Sequence, residues 1–425
     1  MSTAVLTRRP TRLLPATWPV TFLVPGLVVW WALGLAPVAR PLVAAPILAS
    51  LMLQRRVRLP HAFGVWAVFL ALVALSGLQL PVGKLPAFGL RMSEYLAATV
   101  LMVYVHNLPA EARGESLRRV LFAGWLVLVG LGVLALLFPT GELPSLSRAV
   151  IPRGIADDPW IRALTTPSLA QVHVFLGFPL PRPAAPFAYT NGWGSAFALL
   201  LPFAVATLVT GRPAERRMAR IGLVVGVVPA VVSVNRTLWG SAAVSLLFLA
   251  ATAADPTTRR VLRRVVLLIA SLLVGLMLTQ LGELAQQRLD TPHSNAARAD
   301  LAQQASQRVL DRPLLGYGAP QEFEGSRTRP PVGTQGQLWS ITISHGIPAT
   351  GAFLAFFVLA FRRSQAHGTG LWTRASLVAA AVQLPFYGML GGQLLILMVA
   401  VGAALADAQQ SEGGDVWSRA AVARN

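Results

Sequence analysis

The chain has no cysteine and carries little charge. Without cysteine it can form neither a disulfide bond nor a thiolate metal site, and this absence assigns no redox compartment. Charged residues make up only 12% of its 425 residues, whereas 54% are hydrophobic, a balance typical of a protein whose solvent is lipid. No polar stretch as long as an ordinary soluble domain lies between the apolar runs. The composition therefore predicts a single integral membrane domain over residues 1–425.

Acidic residues are also scarce: 17 stand against 36 basic residues, for a net charge of +19. Such an excess can indicate nucleic-acid binding, but the arginines occur in short clusters between apolar runs rather than on one soluble face. We therefore predict no nucleic-acid partner and attribute the excess to orientation in the membrane.

Apolar runs near the length that crosses a ~30 Å hydrocarbon core recur along the whole chain. They predict an all-α, polytopic transmembrane bundle of about twelve helices. The first run is too long for a signal peptide and lacks a clear cleavage pattern, so we expect it to be retained. The predicted spans are residues 19–39, 42–54, 62–80, 92–108, 120–138, 192–210, 221–234, 238–254, 265–281, 338–361, 371–390 and 394–408.

Arginine clusters test this topology, because short cytoplasmic loops collect basic residues. If each span crosses once, five clusters fall on one side and both termini are cytoplasmic. The clusters are Arg55/Arg56/Arg58, Arg113/Arg118/Arg119, Arg212/Arg216/Arg217/Arg220, Arg259/Arg260/Arg263/Arg264 and Arg362/Arg363. The outward side then receives two connections, residues 139–189 and 283–333, that exceed the usual length of passive loops.

The two outward loops differ in pattern. Repeated prolines in residues 139–189 exclude a long helix and indicate an ordered surface cap. In residues 283–333, apolar side chains at helical spacing predict an amphipathic helix over 295–310 near the membrane surface, with simple interfacial packing as the alternative interpretation.

Arg236 is the strongest single candidate for a functional residue. Fifteen residues separate it from the predicted cytoplasmic Arg220, and as a helix they rise roughly 22 Å, short of a ~30 Å core. Arg236 should therefore lie at or just inside the outer boundary. A charge there must snorkel, pair or face a polar cavity, so we interpret it as functional, with orientation anchoring as the alternative.

Four segments in chain order resemble the O-antigen ligase and polymerase superfamily. They are Pro186-Phe187-Ala188-Tyr189-Thr190-Asn191, Ser233-Val234-Asn235-Arg236, Arg298 followed by Arg312-Pro313-Leu314-Leu315-Gly316-Tyr317-Gly318, and Gly333-Thr334-Gln335-Gly336-Gln337-Leu338 leading to Gly346-Ile347. Each motif is weak alone, and the order and spacing carry the resemblance. It covers about the last 240 residues, while the first five spans add only hydropathy.

The resemblance implies an inverting, metal-independent glycosyltransferase of the bacterial cytoplasmic membrane, without a cofactor. Such an enzyme moves a glycan from an undecaprenyl-diphosphate carrier to an acceptor hydroxyl, on a glycan or a lipid, at the outer membrane face. Ligase and polymerase share the donor and differ in acceptor, so both stay open. The matching positions make Arg236 and Arg298 the expected diphosphate ligands, because arginine offers bidentate donors that stay protonated.

The resemblance also marks the position that handles the acceptor proton. The family usually has a histidine there, whereas this chain has Gln335, which cannot act as a base but can orient an acceptor by hydrogen bonding. His293 is an alternative base, and His345 is expected to be a hydrogen-bonded helix residue. Further substrate-binding candidates are Arg182, Asn191, Arg308, Arg312 and Gln337.

Two other classes remain as alternatives. A lipid-linked oligosaccharide flippase or another transporter usually has polar groups near the bilayer midplane and two related halves, and this sequence shows neither clearly. A non-catalytic family member is the other alternative, because the expected histidine is missing.

Overall fold

The computed structural model describes residues 14–142, 145–152, 154, 162, 165–175, 178–277, 293–323, 331–334 and 336–422. These residues are mostly helical, with one two-stranded sheet. The helices are α1 Trp18–Leu23, α2 Leu27–Ala32, α3 Ala36–Met52, α4 Phe63–Gly77, α5 Leu85–His106, α6 Leu117–Leu137, α7 Leu146–Val150, α8 Thr190–Thr210, α9 Pro213–Val232, α10 Arg236–Thr252, α11 Pro256–Met277, α12 His293–Asp311, α13 Gln337–Arg363, α14 Gly368–Gln383 and α15 Gln393–Val422. The strands are β1 Ala170–Phe175 and β2 Phe178–Pro183.

Several helices have the length and apolar composition of membrane-spanning helices. Five segments of the described chain are long and apolar enough to cross one, and α3, α4 and α10 are shorter apolar helices. The five are Val82–His106, Ala112–Leu137, Thr190–Thr210, Gln337–Arg363 and Gln393–Glu412. The structure thus agrees with an all-α membrane protein, whereas the predicted number of about twelve spans is not confirmed.

The first two predicted spans have the wrong boundaries. A break around Pro25 and Gly26 divides the first into α1 and α2, because proline has no backbone N–H to continue a helix. Helix α3 then runs through the loop expected between residues 39 and 42. It buries Arg40, whose Nε donates to Glu94 Oε2 of α5 at 2.5 Å. This carboxylate offsets the charge that made the position look like a loop.

Helices α8 and α15 form the centre of the bundle. In the most apolar stretch of each of these two helices, 83% and 78% of the residues are buried, whereas the share is 44% in the segments that contain α5, α6 and α13. The latter three therefore keep surface for lipid. Around α8, the rings of Trp193 and Trp125 both stack near Phe197, with centroids 5.1 and 5.2 Å away.

The arginine clusters gather at one end of the bundle, here called the basic end. Arg118 and Arg119 both donate to Glu215 at the start of α9, and Arg113 donates to Asp407 of α15. The loop at Arg58 exchanges hydrogen bonds with Asn107 after α5. Near the chain start, Tyr104 donates to the Ala16 carbonyl. These contacts agree with clusters that face one side, while the identity of that side stays a prediction.

The first long loop contains a hairpin that was not predicted. Strand β1 pairs antiparallel with β2 from Ala170↔Pro183 to Phe175↔Phe178. Prolines occupy every second position of β2, so the intervening residues keep their backbone donors for the ladder. Helix α7 in the described part of this loop has only five residues, in agreement with the prediction that the prolines exclude a long helix.

The second long loop contains the predicted amphipathic helix, α12. Its Ala305 is buried and, with Val309, packs against Val332 and Ile343. The helix therefore lies on α13 through its apolar face, and its depth in the membrane stays a prediction.

Candidate functional site

The break between α9 and α10 is the best-defined polar feature opposite the basic end. Val234 has φ +45°, a left-handed conformation that β-branched residues rarely adopt. Asn235 follows and caps α10, since its Oδ1 accepts from the Leu238 amide at 3.0 Å. The same oxygen accepts from the Tyr387 hydroxyl. The two bonds hold the break in one conformation and fix the direction of the next residue, Arg236.

Arg236 is the first residue of α10 and is half-buried. Among the residues that the structure describes, its guanidinium has neither a hydrogen bond nor an ion pair. The amino end of α10 adds the partial positive charge of a helix terminus to this cation. The site therefore attracts an anion and holds no protein carboxylate that would compete for it in the described chain.

Arg182 of the hairpin reaches the same break. Its Nε donates to the Ser233 carbonyl at 2.6 Å, so strand β2 is tied to the end of α9. The Thr190 hydroxyl lies 3.4 Å from the Arg182 carbonyl, and Asn191, next along α8, is exposed. The structure thus brings Arg182 to the same backbone turn as Arg236 and places Asn191 close by in sequence, at the start of α8.

Gln337 has a bridging position. It is 1% exposed, its Nε2 donates to the Tyr95 hydroxyl at 2.9 Å, and its Oε1 accepts from the Met389 amide at 2.7 Å. Its own amide donates to the Tyr387 carbonyl at 2.8 Å. Since Tyr387 also donates to Asn235, we call Tyr95, Gln337, Tyr387 and Asn235 the polar network. This network connects α5 with the cap beneath Arg236.

Helix α13 is broken at Gly346, where φ is +85° and ψ is 173°. Segment 312–318 docks onto the backbone groups that the break frees. The amides of Tyr317 and Gly318 donate to the carbonyls of Ile343 and Ser344 at 2.9 and 2.6 Å, and the Ile347 amide donates to the Pro313 carbonyl at 2.7 Å. The glycines of this motif thus serve close backbone packing.

The two halves of α13 run in opposite directions beside α4 and α5. The first half starts at Gln337 beside Tyr95 and ends at His345, whose Nδ1 lies 2.6 Å from the Ser76 hydroxyl. The second half returns along α4, where the Phe356 ring lies 4.8 Å from that of Trp66. Gly346 is therefore the tip of a helical hairpin, so the predicted single span 338–361 is wrong, and Gln337–Arg363 is two helices although its length and composition suit one crossing.

The other predicted site residues have separate outcomes. Arg308 of α12 is half-buried, and Arg312 is exposed with its guanidinium carbon 4.8 Å from the Tyr317 ring centre. Arg298 and His293 are part of helix α12, and Gln335 lies outside the described residues. His345 is buried and hydrogen-bonded, as predicted. In the described ranges, no group of His, Asp and Glu could hold a metal ion.

Sequence reasoning missed Asn235, Tyr387 and Arg91 as parts of polar sites. Asn235 had a signal, since it precedes Arg236 at the break within a quoted motif. Arg91 stands one residue before the predicted span 92–108, but α5 begins at Leu85, so Arg91 lies within the helix. For Tyr387 the sequence has no signal, because its partners come from distant helices.

No protein-family model, curated protein or solved structure matches the chain. The resemblance based on the four motifs therefore remains a hypothesis.

Proposed function

We propose that this protein transfers a glycan from an undecaprenyl-diphosphate carrier to an acceptor hydroxyl, at the bundle end opposite the basic end. The observation that carries the proposal is the half-buried guanidinium of Arg236 at the amino end of α10, which has no partner among the described residues. By the positive-inside rule, that end faces outward in a cytoplasmic membrane.

The proposed chemistry needs stabilisation of a diphosphate leaving group. Negative charge grows on that group as the glycosidic bond breaks, and a fixed cation stabilises the transition state more than the ground state. Arg236 would bind the diphosphate, with Arg182 beside it and Arg298 from the second loop. The isoprenoid tail would lie among the helices, at the level of the α9–α10 break.

The acceptor hydroxyl must lose a proton during transfer. We assign Gln335 to orient that hydroxyl by a hydrogen bond, since glutamine is not a base. The buried Gln337 would act indirectly, because both ends of its amide already bind the protein. The Gln337 amide binds the Tyr387 carbonyl, and the Tyr387 hydroxyl binds Asn235, the cap of α10 beside Arg236. Gln337 would therefore be a positioning residue.

The test is a cell-free assay of the purified protein in nanodiscs, with undecaprenyl-diphosphate-linked oligosaccharide as donor and potential acceptor and no added metal. Longer glycans together with free carrier would identify a polymerase, and release only with a separate acceptor would identify a ligase. Arg236→Ala should lower the rate roughly 100-fold or more. Arg217→Ala, exposed at the basic end, is the matched control and should retain the wild-type rate. Wild-type turnover by Arg236→Ala would refute the proposal.

A transporter of lipid-linked oligosaccharide is the second candidate, and one observation favours it. The Arg40–Glu94 ion pair is buried between α3 and α5, with side chains 7% and 10% exposed, and ion pairs inside a membrane often line substrate paths. Reconstituted vesicles that move the carrier without changing its glycan would support this candidate. Carrier binding without turnover or movement would support a non-catalytic family member.

A further inference from the structure

Arg91, like Arg236, is a half-buried arginine with no ion pair in the described chain, and it lies in a different place. It is six residues into α5 and half-buried, and its Nη1 is fully buried without any hydrogen-bond acceptor in the described chain. Its Nε makes only a long contact of 3.4 Å to the Ala87 carbonyl of its own helix. An arginine that merely snorkels would turn its charged end to solvent instead.

Other buried arginines of this fold each have a carboxylate. Arg40 pairs with Glu94 at 2.5 Å, and Arg113 pairs with Asp407 at 3.0 Å. Glu94 is only three residues after Arg91, yet it is committed to Arg40. A desolvated cation without a partner is costly, and such residues inside a membrane helix mark functional sites. The two fully buried arginines are thus neutralised, whereas the half-buried Arg91 has no carboxylate partner among the described residues.

The surroundings of Arg91 offer hydrogen-bond donors rather than negative charge. Arg91 and Tyr95 lie about one helical turn apart on α5, and the His345 ring lies 6.4 Å from that of Phe88, one turn before Arg91. The Tyr95 oxygen already accepts from Gln337, which leaves its own proton to donate. Beside His345, the Ser344 hydroxyl is also buried without a partner among the described residues. A ligand that satisfies these groups must be an acceptor, and an anion satisfies the arginine as well.

We propose that Arg91 and Tyr95, next to the break in α13, bind a phosphate group carried by a membrane lipid. Six residues of helix place Arg91 about 9 Å from the start of α5, in the half of the helix that lies away from the basic end. Helix α5 also exposes apolar side chains such as Leu96, which is 45% exposed, so an acyl or isoprenoid chain can lie against it. The phosphate would come from a phospholipid headgroup or from an isoprenoid carrier. This site does not depend on the proposed glycan transfer.

The experiment measures thermal unfolding of the full-length protein in a phosphate-free, non-ionic detergent. Short-chain phosphatidylglycerol and undecaprenyl diphosphate are added separately, and the shift in Tm gives an apparent Kd for each. Arg91→Met should raise Tm without lipid, because the unpaired charge is gone, and should weaken binding at least tenfold. A residue that only supports the fold would lower Tm when replaced. Arg217→Met is the matched control and should change neither value.

The outcomes separate the two lipid sources and the two proposals. The lipid whose Tm shift is lost in Arg91→Met is the ligand, and Arg91→Gln should behave alike if the methionine variant fails to assemble. An unchanged Kd in both Arg91 variants, or no Tm shift with either lipid, overturns the inference. If undecaprenyl diphosphate binding depends on Arg236 and neither lipid's binding depends on Arg91, the proposed function stands and this inference falls.

Discussion

At the residue scale, the role of an arginine in this chain is decided by its partners rather than by its position in the sequence. Arg236 was predicted as a site from its spacing, and the structure leaves its guanidinium without a partner in the described chain. Arg40 was placed in a loop because it is charged, yet it is buried against Glu94. Hydropathy cannot detect such a pair, since the neutralising residue is 54 positions away.

Glu215 allows a test of the charge network at the basic end. It lies outside the five candidate spans. Partial burial raises its pKa, but hydrogen bonds from Arg118, the Arg212 amide and Arg119 outweigh burial and lower the pKa from 4.5 to about 2. A lowered folded-state pKa stabilises the fold above the unfolded value and loses that effect as pH falls. Glu215→Gln should therefore lower the free energy of unfolding by about 2 kcal/mol at pH 7.

The measurement is thermal unfolding of wild type and Glu215→Gln in detergent across a pH series. The difference between them should be constant above pH 5 and shrink between pH 4.5 and about 2. A difference that does not change down to pH 2 would contradict the assigned charge of Glu215.

At the element scale, regular periodicity predicted well and local breaks did not. The helix expected at 295–310 is present as α12 (His293–Asp311), because its apolar spacing reports the face that packs. The α1–α2 break was missed although Pro25 lies at it, and the β hairpin was missed because its alternating prolines were interpreted only as excluding a helix. Segment 312–318 was singled out for the family resemblance, and in the structure the amides of Tyr317 and Gly318 bind carbonyls of α13.

The tip of the helical hairpin gives a prediction with a control in the same helix. At Gly346 a Cβ would overlap the Leu314 carbonyl, and its φ is unfavourable for other residues. Gly346→Ala should cost about 2 kcal/mol or more, seen as a lower Tm and faster proteolysis of the 311–318 segment. At Gly351 a Cβ would meet nothing within 4 Å, so Gly351→Ala should be neutral or slightly stabilising. Equal stability of the two variants would contradict the docked hairpin tip.

At the scale of the whole molecule, the two ends of the bundle differ in chemistry. Arg113, Arg118 and Arg119 pair with carboxylates at the basic end, whereas toward the other end Arg91 and Arg236 have no carboxylate partner among the described residues. Charge clusters in the sequence predicted which loops gather at one end, because the positive-inside rule depends on loop composition alone. The polar network was beyond such prediction, since its hydrogen bonds join four residues from segments that are distant in sequence.

Orientation can be tested directly because the chain has no cysteine to give background labelling. Val150→Cys lies in the first long loop and Met218→Cys lies near the basic end, at positions 83% and 51% exposed. In intact cells a membrane-impermeant maleimide should label Val150→Cys, and Met218→Cys should react only after permeabilisation. The opposite pattern would reverse the predicted topology and move the Arg236 site to the cytoplasm.

The helical hairpin at Gly346 also affects how this protein is made. Lipid offers no hydrogen bonds, so the freed carbonyls of Ile343 and Ser344 cannot face hydrocarbon without their partners from segment 312–318. Segment 312–318 leaves the ribosome before α13 does, so it stays without these partners until α13 has been synthesised. Biogenesis therefore has a late step in which the second long loop and α13 close together, after the earlier helices have inserted.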